Sequence, residues 1–382
     1  MARFRPVDPK QSFPELEERI LERWDERNVF HRSLANRESD PLWGFYEGPP
    51  TANGPPGSHH VLARVFKDIY PRFRTMTGHL VPRKAGWDCH GLPVELEVER
   101  ELGITSKEEI EDYGIAEFND RCRESVFRYV EDWNRLTERI GFWLDLDDPY
   151  VTMTNEYIES VWWALRRIWD DGRLYEDYKV VPYCPRDGTA LSSHEVAMGY
   201  HDVEDPSVYV KLPIRQPAAS DQIPESPLEP GDQLLVWTTT PWTLITNAAV
   251  AAGPEIEYVR ARLGDQVFVL ARNRVEHALG DEAEVLAHFP GEALAGTRYA
   301  PPFDYITDYG PRGHTVLLAD FVTTDEGTGL VHTAIAFGED DFRLGEQYGI
   351  KLQNPVDDRG RFDERITDFA GRFVKEADQD IV

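Results

Sequence analysis

Residues 45–60 run Phe-Tyr-Glu-Gly-Pro-Pro-Thr-Ala-Asn-Gly-Pro-Pro-Gly-Ser-His-His, and no other stretch limits the fold so strongly. Before it, Leu42 to Tyr46 is apolar and aromatic behind Pro41 and reads as a short buried strand. After it, Leu62, Val65, Phe66, Ile69, Tyr70 and Phe73 recur at helical spacing and make one apolar stripe. Four prolines and three glycines separate strand from helix, a rigid turn over which a ligand can approach the backbone closely. A strand, such a turn and a helix whose first turn offers unpaired N–H groups form an anion site in open α/β sheets. His59 and His60 open that helix, where they can donate to phosphate oxygens. Read alone, the same residues also describe a proline-rich surface loop with two solvated histidines.

Further motifs follow: Lys67-Asp68, then Thr75-Met76-Thr77-Gly78, then Gly86-Trp87-Asp88-Cys89-His90-Gly91-Leu92-Pro93-Val94-Glu95. With Gly48 to Gly54 they closely resemble the start of the class I isoleucyl-tRNA synthetases, and the likeness runs to the C-terminus. The Gly-Trp-Asp-x-His-Gly-Leu-Pro-Val-Glu run resembles the isoleucine branch; the valine and leucine branches carry other residues there. The resemblance implies an α/β fold, the first half of a class I synthetase Rossmann-type nucleotide-binding fold with an inserted β-rich editing domain. It implies isoleucine and ATP as substrates, Mg2+ with the ATP, and tRNA(Ile) as partner. By resemblance, Gly48 and Pro49 line the isoleucine side-chain pocket and Asp88 holds the amino group. Gly57, His59 and His60 bind ATP, with His60 and His59 in catalytic roles. By itself an Asp at a strand end is as readily a cap or turn residue. The family signature is His-x-Gly-His, whereas this chain has Gly57-Ser58-His59-His60. His60 matches the outer histidine. The first histidine and the glycine have exchanged places, which keeps two imidazoles near the phosphates but moves one by two residues.

A chain of 382 residues has room for two or three domains. The expected division is an N-terminal approach segment at 1–43, the first half of the catalytic domain with a helical connection at 44–200, and an editing domain at 201–382, incomplete at its C-terminus. No apolar run approaches a membrane span, and the N-terminus lacks a basic-then-apolar leader pattern. Cys89, Cys122 and Cys184 cannot build a disulfide framework. A cytoplasmic monomer is expected. The formal charge of −28 is unusual for a partner of RNA, since phosphate contacts call for a basic surface. Arginine also far outnumbers lysine. An acidic, lysine-poor surface suits a protein kept soluble in concentrated salt, with its basic groove local and hidden by the total; a moderately acidic bacterial protein is the plainer reading.

Phe13, Leu16, Ile20 and Trp24 form an apolar stripe on a charged helix expected to pack on the domain behind it. Ser106 and Glu109 form a capping box, Ile115 to Ile140 reads as a surface helix with a buried seam, and Gly172 stops the next helix. That helix carries Trp162, Trp163 and Trp169, which at helical spacing are expected in the core rather than stacked on bases. The run Cys184-Pro185-Arg186-Asp187 stands where the family commonly has Cys-Pro-x-Cys, half of a zinc knuckle. Asp187 replaces the second thiolate and no partner Cys-x-x-Cys occurs, so bound zinc is not predicted.

Beyond Gly199 the period changes to that of strands. Val208, Val210 and Leu212 alternate, Gln233 to Thr240 and Thr315 to Phe321 read as strands, and Tyr258–Ala271 is a hairpin turning at Gly264-Asp265. Ile214 to Gly231 reads as a mobile Pro/Ser/acidic loop. Thr238, Thr239 and Thr240, followed by Pro241-Trp242-Thr243, supply hydroxyls that can bind a terminal ribose and orient water, although a threonine run also simply favours a strand. By resemblance this is the editing cluster, His332 contacts the misacylated end, and Asp341 binds the α-ammonium of the wrong amino acid. Ile335 stands where the family usually has proline, which is expected to loosen that loop. The family's Lys-Met-Ser-Lys-Ser loop is not found. The chain therefore reads as the N-terminal part of a longer synthetase, with a free-standing deacylase and a non-catalytic tRNA-binding fragment as the other readings.

Overall fold

A computed structural model describes residues 9–218 and 227–382, which fall into two compact units, residues 1–176 and 177–382. In the first unit, helices α1 (Phe13–Glu26) and α2 (Val29–Ala35) precede strand β1 (Phe45–Tyr46), helix α3 (Ser58–Met76) and strand β2 (Arg83–Trp87). Helices α4 (Leu92–Leu102), α5 (Lys107–Tyr113) and α6 (Ile115–Arg139) lead to β3 (Asp145–Val151) and α7 (Asn155–Asp170). The three strands pair in parallel in the order β1-β2-β3. Single parallel bridges extend the β1–β2 pairing at both ends, Leu42 to Leu80 and Thr51 to Asp88. Parallel neighbours need a crossover, and α3 supplies it.

The strand expected over Leu42–Tyr46 is shorter and less buried than its composition suggests. Leu42 and Tyr46 are exposed, and the buried residue is Glu47. The apolar stripe of α3 is also exposed: Leu62, Phe66, Tyr70 and Phe73 lie between 58 and 66 % accessible. The buried positions of α3 are instead Arg64, Pro71 and Thr75. A polar network occupies them. Asp68 pairs with both Arg72 and Arg83, and Arg83 also donates to Thr75 Oγ1 at 3.0 Å. Arg83 is fully buried, and desolvation drops its guanidinium to about 10. Arg72 lies over the Trp143 ring at 4.3 Å, and Trp143 meets Trp24 of α1 edge-on at 5.1 Å. Trp24 thus docks α1 as its stripe implied, while Phe13 and Ile20 stay exposed.

The seam of α6 is as expected, with Phe118, Val126 and Trp133 buried. Ser106 caps α5 by accepting from Glu109 N–H at 3.3 Å, and the Glu109 carboxylate reaches back to accept from Thr105 N–H at 2.6 Å. Gly172, at φ +69°, ends α7. The tryptophans of α7 correct the core expectation: Trp162, Trp163 and Trp169 are all exposed, and no residue of that helix is buried. Spacing identifies residues that share a face; it does not say what covers the face.

The second unit begins with a short hairpin, β4 (Tyr183–Cys184) and β5 (Thr189–Ala190), then α8 (Ser193–Met198). The strands β6 (Val208–Gln216), β7 (Gln233–Thr238), β8 (Ala249–Ala252), β9 (Glu257–Leu263), β10 (Gln266–Ala271), β11 (Glu284–Pro290), β12 (Arg298–Tyr299), β13 (Val316–Leu318) and β14 (Leu330–Thr333) form one mixed sheet. A 3-10 turn at Pro241–Thr246, helix α9 (Val275–Leu279), helix α10 (Glu339–Tyr348) and helix α11 (Val374–Ile381) complete the unit. The β9–β10 hairpin turns at Gly264, φ +63°, as its sequence required. Ile214 to Gln216, expected in a loop, continue β6, and residues 219–226 of that stretch lie outside the described residues. At the centre of the sheet β7 has β10 and β14 as parallel neighbours, and β6 runs antiparallel to it. Two apolar clusters enclose this centre, one around Leu234, Val236, Val250 and Val269, the other around Ile245, Leu317, Ile335 and Ile366. Ile335 is therefore anchored: it lies against Gly345 of α10, where a Cβ would come within 2.8 Å of its side chain.

In the first unit Gly86 sits on β2 directly beneath Tyr150, whose ring carbon would lie 2.2 Å from any Cβ at that position. Gly86→Ala should push the ring away and destabilise the unit by about 1–3 kcal/mol, the usual cost of overpacking. Thermal unfolding checks this; an unchanged melting temperature would mean that the ring moves aside freely.

Candidate active sites in the two units

In the first unit the site forms where β1 and β2 end. Glu47 N–H donates to Lys84 O at 2.9 Å and Asp88 N–H to Pro50 O at 3.1 Å, so parallel pairing carries the turn past the strands. Both Asp88 oxygens are held. Thr51 Oγ1 donates to Oδ2 at 3.4 Å and His90 N–H to Oδ1 at 3.3 Å. The carboxylate stays half-exposed at the strand end, where open sheets place ligand contacts. Gly48 and Pro49 precede Pro50 along the turn, and Gly48 O accepts from Lys67 Nζ at 3.2 Å. Lys67 also pairs with Glu47, whose carboxylate is almost wholly buried. Tyr150 donates its hydroxyl to Glu47 O, and burial pushes that phenol up to about 12.

His60 stands at the start of α3, with its ring 3.8 Å from that of His59 and 4.6 Å from that of Trp133. Its Nδ1 accepts the Gly57 N–H at 2.9 Å, so in the neutral ring the proton sits on Nε2 and makes it a donor. Burial first, then the neighbouring His59 and Arg64, lower the His60 pKa and favour that neutral form. His59 is exposed, and Gly57 allows the close packing: a Cβ there would lie 3.0 Å from the His59 ring. Trp133 Nε1 donates to Gly54 O at 3.0 Å, tying α6 to the turn, and Arg64 lies over the same indole at 5.0 Å. The motifs give no site role to Trp133, Tyr150 or Lys67. The signal available for Lys67 was its place seven residues after His60, two helical turns along one face.

In the second unit the polar groups again gather at the carboxyl ends of parallel strands. The Val331–Trp237 pairing brings Thr238, the end of β7, beside His332 of β14. Thr240 N–H donates to Thr238 Oγ1 at 3.1 Å, and the Thr238 and Thr240 hydroxyls lie 3.1 Å apart. Thr243 Oγ1 donates to Thr240 O at 2.8 Å and sits 3.0 Å from His332 Nε2. His332 Nδ1 faces Asn247 Nδ2 at 2.8 Å. Both imidazole nitrogens are thus occupied inside the protein, and burial drops the His332 pKa to about 4. Thr239 is exposed and takes no part in this network. Asp341, in the first turn of α10, accepts the Ala334 N–H at 3.3 Å, just past the end of β14. Burial raises its carboxyl to about 6. Among the described residues no hydrogen bond joins Asp341 to the threonines. Asn247 and Thr243 carry the network; Thr243 belongs to the hydroxyl-bearing run expected from sequence, whereas no motif marks Asn247.

At the β4–β5 hairpin, Cys184 Sγ donates to Asp187 Oδ2 at 3.0 Å. Among the described residues no group of three or more His, Cys, Asp or Glu side chains is placed to hold a metal ion.

Half-buried Asp341 and buried His332 give opposite pH slopes. Asp341 titrates higher in the fold than its ordinary 3.8, so its contribution is present below that value and lost as pH rises through about 6. His332 titrates lower than its ordinary 6.5, so its contribution is present above that value and lost as pH falls through about 4. Asp341→Asn removes the first slope only. The variant should melt above the parent at pH 7 and converge with it near pH 4; equal melting temperatures across the range would show that Asp341 ionises at no cost.

Residues 19–357 match the family described as tRNA synthetases class I (I, L, M and V). The isoleucine–tRNA ligase of Streptomyces avermitilis is 51 % identical over 377 residues, 98 % of this chain and 35 % of that protein. That of Thermobifida fusca is 50 % identical over 379 residues, 99 % of this chain and 35 % of the relative. That of Thermus thermophilus is 48 % identical over 371 residues, 97 % and 34 % respectively. The chain thus spans about a third of the length of these curated relatives. With strand-end Asp88, the turn from Gly48 and the helix opening at His60 in place, the chain belongs to the class I tRNA synthetases of the isoleucine, leucine, methionine and valine group.

Proposed function

We propose that this chain carries the amino-acid and nucleotide site and the editing site of an isoleucine–tRNA ligase. The observation that carries the first half is the Asp88 carboxylate, fixed through both oxygens at a strand end and half-open to solvent. In this reading Asp88 takes the ammonium of isoleucine, and Gly48 and Pro49 line its side-chain pocket. The isoleucine carboxylate attacks the α-phosphorus of ATP, pyrophosphate leaves, and isoleucyl-adenylate forms. Gly57 and the first turn of α3 receive phosphate oxygens, as helix N-termini do. His60 Nε2–H, neutral and pointed by its bond to Gly57, donates to the charge that develops on phosphorus-bound oxygen. His59 stands beside it as a second donor. Mg2+ accompanies the ATP, and a ribose hydroxyl of tRNA(Ile) then takes the isoleucyl group from the adenylate, releasing AMP. A cytoplasmic monomer fits; among the described residues no helix is long and apolar enough to cross a membrane.

The second unit is the editing module in this reading. Isoleucine and valine differ by one methylene, which a hydrophobic pocket separates by only about 1–3 kcal/mol, a limit for which this enzyme family is the standard example. A second site that hydrolyses valyl-tRNA supplies the rest. Thr238, Thr239 and Thr240 meet the terminal ribose and the attacking water, His332 orders these hydroxyls from behind through Thr243, and Asp341 receives the α-ammonium. A bound ammonium beside Asp341 also offsets the cost of its ionisation in a buried place.

Two measurements test the halves separately. A non-hydrolysable isoleucyl-adenylate analogue should bind the chain in calorimetry, and Asp88→Ala should weaken it about tenfold or more, the loss of one charge-assisted bond; unchanged affinity would remove the ammonium assignment. Valyl-tRNA added to the chain should be deacylated, and Asp341→Ala should slow this about 100-fold by misplacing the ester. Normal hydrolysis by that variant, with a shifted melting point, would reduce Asp341 to a helix residue.

A further inference from the structure

Behind the threonine cluster lies a group of buried polar side chains with a single direction. An asparagine amide can be turned either way, but Asn247 is fixed by its other neighbours. Its Nδ2 lies 3.2 Å from Ala249 O, a carbonyl that only accepts, and its Oδ1 receives the Tyr299 hydroxyl at 2.7 Å. Nδ2 must therefore face His332 Nδ1, which is left without a proton, and the neutral ring carries its proton on Nε2, 3.0 Å from Thr243 Oγ1. Thr243 directs its own hydrogen to Thr240 O. The donors run from Tyr299 through Asn247, His332 and Thr243 to the backbone of Thr240. Reversing any link would set two donors or two acceptors against each other.

The backbone behind Asn247 is held as specifically. His314 Nε2 donates to Asn247 O at 3.0 Å, its N–H donates to Ala248 O at 2.8 Å, and its carbonyl accepts the Tyr299 N–H at 3.2 Å. His314 does this at φ +53°, a left-handed conformation that disfavours a residue with a Cβ. Such strain persists where the surroundings over-determine it and concentrates at functional sites.

We infer that Tyr299 and His314 are positioning residues of the second unit's site: they clamp Asn247, and through it hold His332 in the Nε2–H tautomer that orients the threonine hydroxyls. With Thr243 accepting from His332, the Thr240 hydroxyl can donate inward across 3.3 Å, and the cluster then turns lone pairs outward. That suits a ligand that brings O–H donors, a ribose or a water. The catalytic part of this inference rests on the editing reading; the tautomer part does not.

The test uses the full 382-residue chain with 15N-labelled histidine. In the parent, His332 should show a protonated Nε2 and a bare Nδ1. Tyr299→Phe removes one hydroxyl from a nearly unchanged shape, leaving Asn247 Oδ1 unpaired. It should release a second tautomer and lower kcat for valyl-tRNA deacylation about tenfold, the lower end for an outer partner of a site, with KM within about twofold. His314→Asn, which tolerates the left-handed backbone, should move both readouts the same way. A proton on Nδ1 in the parent would overturn the inference, as would a Tyr299→Phe chain with unchanged tautomer or unchanged kcat. If the tautomer shifts in the variant while the parent deacylates nothing, the positioning stands and the editing reading falls.

Discussion

Parallel strand pairing is the constraint on which both sites depend. Where two parallel strands end side by side, the chain must turn away over the sheet edge, and polar groups gather there. In the first unit the β1–β2 pairing continues through the single Thr51–Asp88 bridge, which sets the Asp88 carboxylate against the turn that begins at Gly48. In the second the β7–β14 pairing at Trp237 and Val331 sets Thr238 beside His332. Neither cluster follows from one segment of sequence. Each is made by one register.

The two sites treat histidine in opposite ways. His60 keeps one nitrogen for the backbone at Gly57 and leaves the other as a donor at a helix N-terminus. His332 has both nitrogens bonded within the protein and is nearly inaccessible. Both are held neutral by burial, the first partly and the second completely. In the proposed function this difference separates a group that meets phosphate directly from one that acts through a threonine. An imidazole next to a polyanion would gain a proton in open water; desolvation and the adjacent Arg64 oppose that.

The first unit also shows charge used as packing. Arg64, Arg72 and Arg83 lie against Trp133, Trp143 and Phe142, with their guanidinium groups over the rings while they donate to Asp68, Thr75 and Thr137. Lysine, a compact and strongly hydrated point charge, would not serve in these places. The abundance of arginine over lysine, which at the level of composition reads as a surface property, is in part an interior one.

Sequence by itself determined what depends on neighbours along the chain. The Gly48–His60 turn, the start of α3, the caps at Ser106 and Gly172, and the hairpin at Gly264 are local, and each follows from residues that demand or forbid a backbone angle. Gly48, Pro49, Asp88, His60, Thr238, Thr240 and Asp341 stand in motifs whose family resemblance, not their local chemistry, suggested a site. Tertiary structure decided which faces were covered and which atoms met. The stripe of α3 and the tryptophans of α7 share faces as their spacing says, yet those faces are exposed, while α3 turns Arg64, Pro71 and Thr75 inward. Periodicity records which residues point together and carries no information about what stands opposite. Lys67 beside Glu47, Trp133 beneath His60, and the path from Tyr299 to Thr243 join residues between 20 and 89 positions apart. A hydrogen bond is decided within a few tenths of an ångström, and only the packed fold fixes distances on that scale.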